Sequence, residues 1–453
     1  MHIAIDARMY GTAQRGIGRY LMKLIGALEE IESASTPPLT PPRKGGENDF
    51  PPLPEGRIKE RWEYTVFLRQ KNFEEYQPRN TNFKKALWDA PWYGLKEQLF
   101  FKALKNIGTK GLKDKKVLMS LRSFVLPSIL YHFPHWNVPL LFNRPFVVTI
   151  HDLELFSSNR TRNNSTRGRA LYWFKHFAFR IVFRHAVLSA RGIIVPSNVV
   201  REQLLDRYPQ VRKKVQVIYE APTLSARALS VPKNLETEEQ KNNKVLQFFS
   251  SSVLTSRRYA LYVGAAYPHK NLPRLLSAWN EVRQAFPDYK LVLVGREDFF
   301  WKKLKQEYFR NPSQPPLNLR GGDRSEPPLK VRGGRGSYDT FGIVFYGSAT
   351  DDELVTLYKN AALLVQPSLE EGFSLSPLEA ISFGCPAAVS DIPVHREIYG
   401  NAVSYFDPLI INSIAEVIKK TITHPVSNPL PREYSWRSHA QETKALYEAV
   451  IKV

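Results

Sequence analysis

The sequence has a single cysteine, Cys385, among 453 residues. No internal disulfide can form, which excludes a disulfide-stapled scaffold and leaves a cysteine-based zinc site without its ligands. No uninterrupted apolar run reaches about 18 residues, so no transmembrane helix is expected. The opening residues MHIAIDAR (1 to 8) read as a short buried strand running into polar sequence, without the long apolar stretch of a signal peptide. These absences together predict a cytoplasmic protein. Acidic residues are also scarce: 43 Asp and Glu stand against 64 Lys and Arg, a formal net charge of +21. An excess of that size attracts nucleic acid, anionic lipid or phosphorylated ligands.

The positive charge is concentrated in two segments. Between Lys84 and Lys116 nine lysines face only Asp89, Glu97 and Asp114, and from Ser157 to Arg191 seven arginines and Lys175 stand without any acidic residue. The second segment interleaves its charge with Tyr172, Trp173, Phe174, Phe177, Phe179 and Phe183. Such a pattern fits a helix lying on a membrane surface, and the plainer reading is a helix whose aromatics face a core and whose arginines face water.

What is present is otherwise ordinary for a globular chain: 43% hydrophobic and 24% charged residues. The length predicts two or three domains. Three patches break the pattern: PPLTPPRKGG (37 to 46), PPLNLRGG (315 to 322) and PPLKVRGG (327 to 334). Proline fixes extended backbone and glycine adds entropy without contacts, so these read as exposed insertions, about 37–56 and 312–336. Eight-residue repeats are too short to build a solenoid. Elsewhere short β-rich runs alternate with helical ones, from His2–Asp6 to Val403–Phe406, which predicts parallel sheets with helices on both faces. The pattern dissolves into polar sequence before residue 258, the expected linker between two Rossmann-like domains facing each other across a cleft.

In open parallel sheets ligands bind at the carboxyl ends of the strands, so the residues that follow each strand are the candidates for chemistry. Gly16 and Gly18 follow the first strand; they lack the third glycine of a dinucleotide fingerprint, and read either as amides opening a helix toward an anion or as a tight turn needing positive φ. His151 follows the strand ending at Ile150. Gly264 leads to His269, Lys270 and Asn271, and Val365 leads to Glu370, Glu371, Gly372 and Phe373. Ser376, Pro377 and Glu379 have the spacing of a capping box, with Glu371 in the loop before it and the amides of Phe373, Ser374 and Leu375 available to an anion. Capping and ligand binding both remain open at this point. His132, His135 and His151 lack the i,i+4 spacing or cysteine partners of a metal site, and no metal is expected.

The run PSLEEGFSLSPLEAISFGCPAAVSDIPVHREIYGNAVSYFDP (367 to 408) resembles the donor-site signature of the retaining glycosyltransferase family 4, whose fold is GT-B. LYVGAAYPHKNLPRLL (261 to 276), GIGRYLMKLI (16 to 25), VVTIHDL (147 to 153), IIVPSNVVREQLL (193 to 205) and YSWRSHAQETKALYEAV (434 to 450) are similar to other parts of that family. The resemblance implies an α/β protein of two facing Rossmann-like domains: an acceptor domain over 1–225, a linker over 226–257, a donor domain over 258–435 and a C-terminal helix over 436–453 that packs back toward the first. It implies that Glu371 contacts hydroxyls of the donor sugar, Glu379 the nucleotide ribose, Lys270 the diphosphate, and His151 the neighbourhood of the reacting sugar. Gly264, Asn271, Gly372, Phe373, Ser374 and Leu375 would complete the donor site, with Gly16 and Gly18 approaching from the other domain. Ala265 stands where the family often has a second, arginine clamp on phosphate.

The expected activity is metal-independent, cofactor-free transfer of a sugar, with mannose the candidate, from a nucleotide-diphosphate donor to a saccharide or lipid-linked acceptor, with retention of configuration. The expected partners are the nucleotide sugar, the acceptor and an anionic membrane surface at whose inner face the protein is peripheral. A sugar-nucleotide epimerase or phosphorylase of the same fold is the alternative enzyme. A basic nucleic-acid-binding protein is the non-enzymatic alternative, and it leaves the two glutamates unexplained.

Overall fold

A computed structural model describes residues 1–11, 15–34, 62–90, 129–156, 169–224, 258–310, 337–338 and 342–452. The expected linker and both expected insertions fall outside these residues. Strands β1 (His2–Asp6), β2 (Glu63–Leu68), β3 (Phe83–Leu87), β4 (Ile129–Phe133), β5 (Phe146–Thr149), β6 (Gly192–Val195) and β7 (Val215–Val217) pair in the order β3-β2-β1-β4-β5-β6-β7. Every neighbouring pair in this sheet is parallel. The second sheet holds β8 (Tyr259–Val263), β9 (Lys290–Val294), β10 (Ser337–Tyr338), β11 (Ile343–Gly347), β12 (Leu363–Gln366), β13 (Ala387–Ser390) and β14 (Ser404–Phe406), in the order β10-β11-β9-β8-β12-β13-β14. Only β10 runs antiparallel to its neighbour.

Parallel strands covered on both faces read as continuous apolar runs, and runs such as LVLV in β9 and GIIV in β6 are buried throughout. Each sheet accordingly carries two cores. In the first domain, α1 (Arg15–Ala34) covers one face, and α2 (Arg169–Ser189) and α3 (Asn198–Arg207) cover the other. In the second domain, α4 (Leu272–Ala285), α5 (Phe299–Arg310) and α9 (Ile411–Thr423) cover one face; α6 (Asp351–Asn360), α7 (Leu375–Ser382) and α8 (Pro393–Tyr399) cover the other.

The last helix, α10 (Trp436–Ile451), leaves the second domain and buries Ala440, Leu446, Tyr447 and Val450 in the first domain's core beside α1. Gly192 makes room for it, since a Cβ there would press on Leu446 and Val450. Its polar contacts are as specific: Trp436 Nε1 donates to the Pro222 carbonyl at 3.0 Å, and Lys444 pairs with Glu32 at 2.6 Å.

Three strands were not expected. β4 (ILYHF) is buried at all five positions, and its histidine hid the apolar run. β3 (FKKAL) is an edge strand whose lysines belong to the basic segment, as charged edges resist unwanted pairing. β10 is a two-residue strand just past the third Pro-Gly patch. Deleting residues 312–336 and rejoining the chain with a short turn is expected to leave folding and activity intact. Thermal melting and transfer assays on the deletion check this, and a chain that no longer folds would show that the segment belongs to the core.

His132 of β4 is fully buried, with Nδ1 2.6 Å from the Tyr447 hydroxyl and Nε2 2.9 Å from Thr149 Oγ1. Burial, with help from His439 and His151, pushes its pKa down from 6.5 to about 3. The folded state therefore resists a proton that the unfolded chain accepts below pH 6.5. The stability gained from neutral His132 is complete above that pH and is lost as the pH falls through this window. Denaturant titrations are expected to show a smaller loss of stability on acidification for His132→Gln than for the parent protein.

Candidate active site

The carboxyl ends of the central strands β8 and β12 bring the second domain's polar loops together. After β8 the chain makes a single 3-10 turn, Pro268–Lys270, and Asn271 then takes a left-handed conformation (φ 60°) to start α4. Asn271 uses its amide to hold the Pro408 carbonyl at 2.8 Å and its side-chain oxygen to accept from Arg274, so its side chain fixes the loop. The amide of Leu369 donates to the His269 carbonyl at 2.7 Å and clips the loop after β12 to this turn. Lys270 and Glu371 thereby meet: Lys270 Nζ lies 2.7 Å from both carboxylate oxygens. Gln366 Nε2 adds a third hydrogen bond to Glu371, at 2.9 Å.

The pair is nearly buried, and its protonation follows from its neighbours. Burial opposes the charge on Glu371, but Lys270 and His269 outweigh it and hold the carboxyl at about 2. Burial likewise opposes the charge on Lys270, yet Glu371, Glu154 and Asp152 raise its pKa above the ordinary value. Both side chains are therefore ionised at neutral pH. Around them Gln366 Oε1, Ser374 Oγ and His395 Nε2 are buried polar atoms without a hydrogen-bond partner. His395 Nδ1 already donates to the Ser390 carbonyl at 2.8 Å, which leaves Nε2 as an unfilled acceptor.

Glu379 lies one turn into α7. The capping-box expectation is corrected here. Ser374, with φ at 73°, turns the chain so that the helix already begins at Leu375, ahead of Ser376. The Ser376 hydroxyl instead donates to the Val263 carbonyl at 3.0 Å, tying α7 to the end of β8. Freed from capping, Glu379 accepts hydrogen bonds from the hydroxyls of Thr223 and Tyr358. Burial raises its pKa above the usual carboxylate value. Phe373 is buried between Tyr219 and Tyr434, so its ring packs the core and only its backbone borders the site. Leu375 is half-buried at the helix start, and Gly264 continues β8 with its amide bonded to the Val294 carbonyl at 2.9 Å.

The first domain closes directly onto these loops. Gly372 abuts the His151 backbone so closely that a Cβ would collide with the His151 carbonyl, which is why glycine stands there. Ser197 Oγ donates to the Gly372 carbonyl at 2.8 Å, the Glu154 carboxyl lies 3.2 Å from His269 Nε2, and Arg19 pairs with Asp351. His151 has Nδ1 2.9 Å from Glu220 and Nε2 3.0 Å from the Pro134 carbonyl. Both partners accept, so both ring nitrogens donate and the ring carries a positive charge. Burial works against that charge, and Glu220 overcomes it to raise the pKa. Gly16 and Gly18 lie in the first turn of α1 and neither has positive φ, so they form a helix opening and not the tight turn that was the other expectation.

Lys270, Glu371, Gly372 and His151 are thus brought together, while Glu379 sits deeper, against Thr223 of the chain leaving the first domain. Sequence reasoning passed over Glu220, Thr223, Glu154 and His395, and placed Asp152 and Gln366 among the residues that follow a strand without giving them a role. Glu220 was within its reach, since it stands three residues past the end of β7.

The second domain matches the family description "Glycosyl transferases group 1" over residues 257–424, and the first matches "Glycosyltransferase Family 4" over residues 63–221. The two matches together take in both domains, the first as glycosyltransferase family 4 and the second as glycosyl transferases group 1. The O-antigen chain mannosyltransferase RfbU of Salmonella typhimurium is 25% identical over 278 residues, covering 60% of this chain and 59% of that protein. The O-antigen chain mannosyltransferase B of Escherichia coli is 26% identical over 337 residues, covering 73% of this chain and 71% of that one. The chain thus matches about three fifths of the length of the first of these relatives. Among solved structures, sucrose-phosphate synthase from Thermosynechococcus elongatus superposes with a TM-score of 0.57 at 17% identity over 100% of this chain and 96% of that one. WaaG, a glycosyltransferase involved in lipopolysaccharide biosynthesis, does so with a TM-score of 0.52 at 13% identity, over 99% and 98%. The fold is GT-B.

Proposed function

We propose that the protein transfers mannose from a nucleotide-diphosphate donor to a saccharide or lipid-linked acceptor, with retention at the anomeric carbon and without a metal ion, working at the inner face of a membrane. The observation that carries this reading is the buried Lys270–Glu371 pair at the ends of β8 and β12, facing His151 across the cleft. A lysine there offers a positive charge to a departing diphosphate, where a fixed charge lowers the barrier as negative charge develops. Glu371 accepts hydrogen bonds only, which is what sugar hydroxyls offer. Ser374 Oγ, Gln366 Oε1 and His395 Nε2 supply the unfilled partners that a bound polyhydroxyl ligand would take up. Glu379 would exchange its bond from the Thr223 hydroxyl for one from a ribose hydroxyl. His151 adds positive charge to the acceptor side of the cleft, its ring nitrogens being held by Glu220 and Pro134.

Mannose is taken from the names of the two relatives. The comparisons give no support to the epimerase, phosphorylase or nucleic-acid readings. No helix among the described residues is long and apolar enough to cross a membrane. Thermal melting against a panel of nucleoside diphosphate sugars tests the donor, because a ligand that binds only the folded protein raises its stability by mass action. A mannose donor is expected to raise the melting temperature most. A panel in which no nucleotide sugar shifts it would sink the reading.

A further inference from the structure

Past the Ile218 amide, which donates to the Val195 carbonyl at 2.9 Å, the chain leaves the first sheet and runs irregularly through residues 219–223. This segment holds one side chain in each half of the site. Glu220 lies 2.9 Å from His151 Nδ1, and the Thr223 hydroxyl donates to Glu379. Backbone carbonyls outside a sheet or helix need other partners, and α10 supplies two of them. Trp436 Nε1 donates to the Pro222 carbonyl at 3.0 Å, and His439 Nδ1 lies 2.9 Å from the Tyr219 carbonyl, so Glu220 is bracketed by two ties to the same helix.

The helix also backs the His151 ring. His439 Nε2 lies 3.2 Å from the Tyr20 hydroxyl, and the Tyr20 ring stands edge-on to His151 with centroids 4.7 Å apart. Burial lowers the His439 pKa, so its imidazole is neutral at neutral pH. A carbonyl only accepts, which puts the His439 proton on Nδ1 and leaves Nε2 to accept from Tyr20. Trp436 closes the group, 5.8 Å from Tyr20 and 5.1 Å from His439 between centroids. We infer that Trp436 and His439 are positioning residues: by fixing residues 219–223 to α10 they hold Glu220 on His151 and Thr223 against Glu379. The activity consequence rests on the transferase reading above, whereas the charge of His151 is measured apart from it.

Burial opposes that charge, and Glu220, with Asp152 of His151's own loop, outweighs it. Burial keeps His132, His135 and His439 neutral beside it, and Lys270 and Glu371 across the cleft pair with each other. Glu220 is thus the acidic group hydrogen-bonded to the ring. His151 is charged below its raised pKa and loses its proton as the pH rises through it. If residues 219–223 shift and Glu220 withdraws, burial prevails and the proton leaves at lower pH.

NMR titration of the imidazole signals of the full chain, with His151 assigned by its absence from His151→Gln, tests this without any substrate. His151 is expected to lose its proton at lower pH in Trp436→Phe and in His439→Leu than in the parent. His439→Asn, whose amide nitrogen takes the place of Nδ1, is expected to keep the parent's titration. Lys444→Met removes the 2.6 Å contact with Glu32 elsewhere on α10 and is expected to lower the melting temperature without moving His151. In transfer assays Trp436→Phe and His439→Leu are expected to lose on the order of a hundred-fold in kcat, the size of a misplacement of about 1 Å. The alkaline fall of their rate should also move to lower pH. Should His439→Leu fail to fold by circular dichroism, Trp436→Phe, which keeps an aromatic ring and removes only the donor, still decides. A parent that makes no glycosidic bond would remove the transferase reading and leave the titration to stand by itself. The inference is overturned if His151 titrates alike in the parent and Trp436→Phe, or if Lys444→Met moves it as far, since the effect would then be a general loosening of α10.

Discussion

Glu371→Gln is expected to reduce sugar transfer by at least about a hundred-fold while leaving the protein folded. The magnitude is that of losing one preorganised polar contact to the reacting groups. The amide keeps the shape of the carboxyl but turns one acceptor into a donor, which faces sugar hydroxyls with the wrong polarity and leaves Lys270 without its counter-charge. The loop position limits the structural damage. Glu371 is held by Lys270 and Gln366 and lies outside both apolar cores of its domain. Single-turnover transfer with saturating donor measures the loss, and circular dichroism and melting measure the fold. Turnover by the variant close to that of the parent would remove Glu371 from the chemistry.

Lys270→Ala is expected to weaken binding of the nucleoside diphosphate by on the order of ten- to a hundred-fold, since a hydrogen bond to a charged group contributes about 1.5 to 3 kcal/mol. It should lower transfer as well. A second signature separates this from simple loss of packing. Lys270 is the main attraction that holds Glu371 at about 2 against burial, and without it burial pushes that carboxyl upward against the weaker pull of His269. The variant's residual transfer should therefore fall off as the pH is lowered through the carboxylate range, where the parent's does not. Titration calorimetry with the free nucleoside diphosphate, and a pH profile of each protein, read the two effects. Unchanged nucleotide affinity would defeat the assignment.

The two parallel sheets were legible because buried parallel strands leave continuous apolar runs, as in LVLV of β9 and GIIV of β6. The strands that escaped are those in which a second demand interrupts the run: His132 in β4, bonded to Tyr447 far along the chain, and the lysines of the β3 edge. At the site, Lys270 and Glu371 were candidates because both stand just past strand ends in a glycine- and proline-rich context, and the resemblance to family 4 supplied their roles. Their mutual contact was not legible, since it depends on the Leu369 amide clipping two loops a hundred residues apart. The capping reading failed because a serine at positive φ moved the helix start, and no local pattern marks Ser374 for that conformation. Thr223 reaches Glu379 across the domain boundary and Glu220 reaches His151 from the end of another strand of the same sheet, and sequence spacing carries no information about either contact.

The most direct test of the transferase account is to incubate the protein with a nucleoside diphosphate mannose and an acceptor saccharide and to follow the products by proton NMR. One nucleoside diphosphate released for each new glycosidic bond, with the donor's anomeric configuration kept and with chelator making no difference, is the predicted result. Release of nucleotide without a new bond, isomerisation of the donor, or a bond of inverted configuration would contradict it.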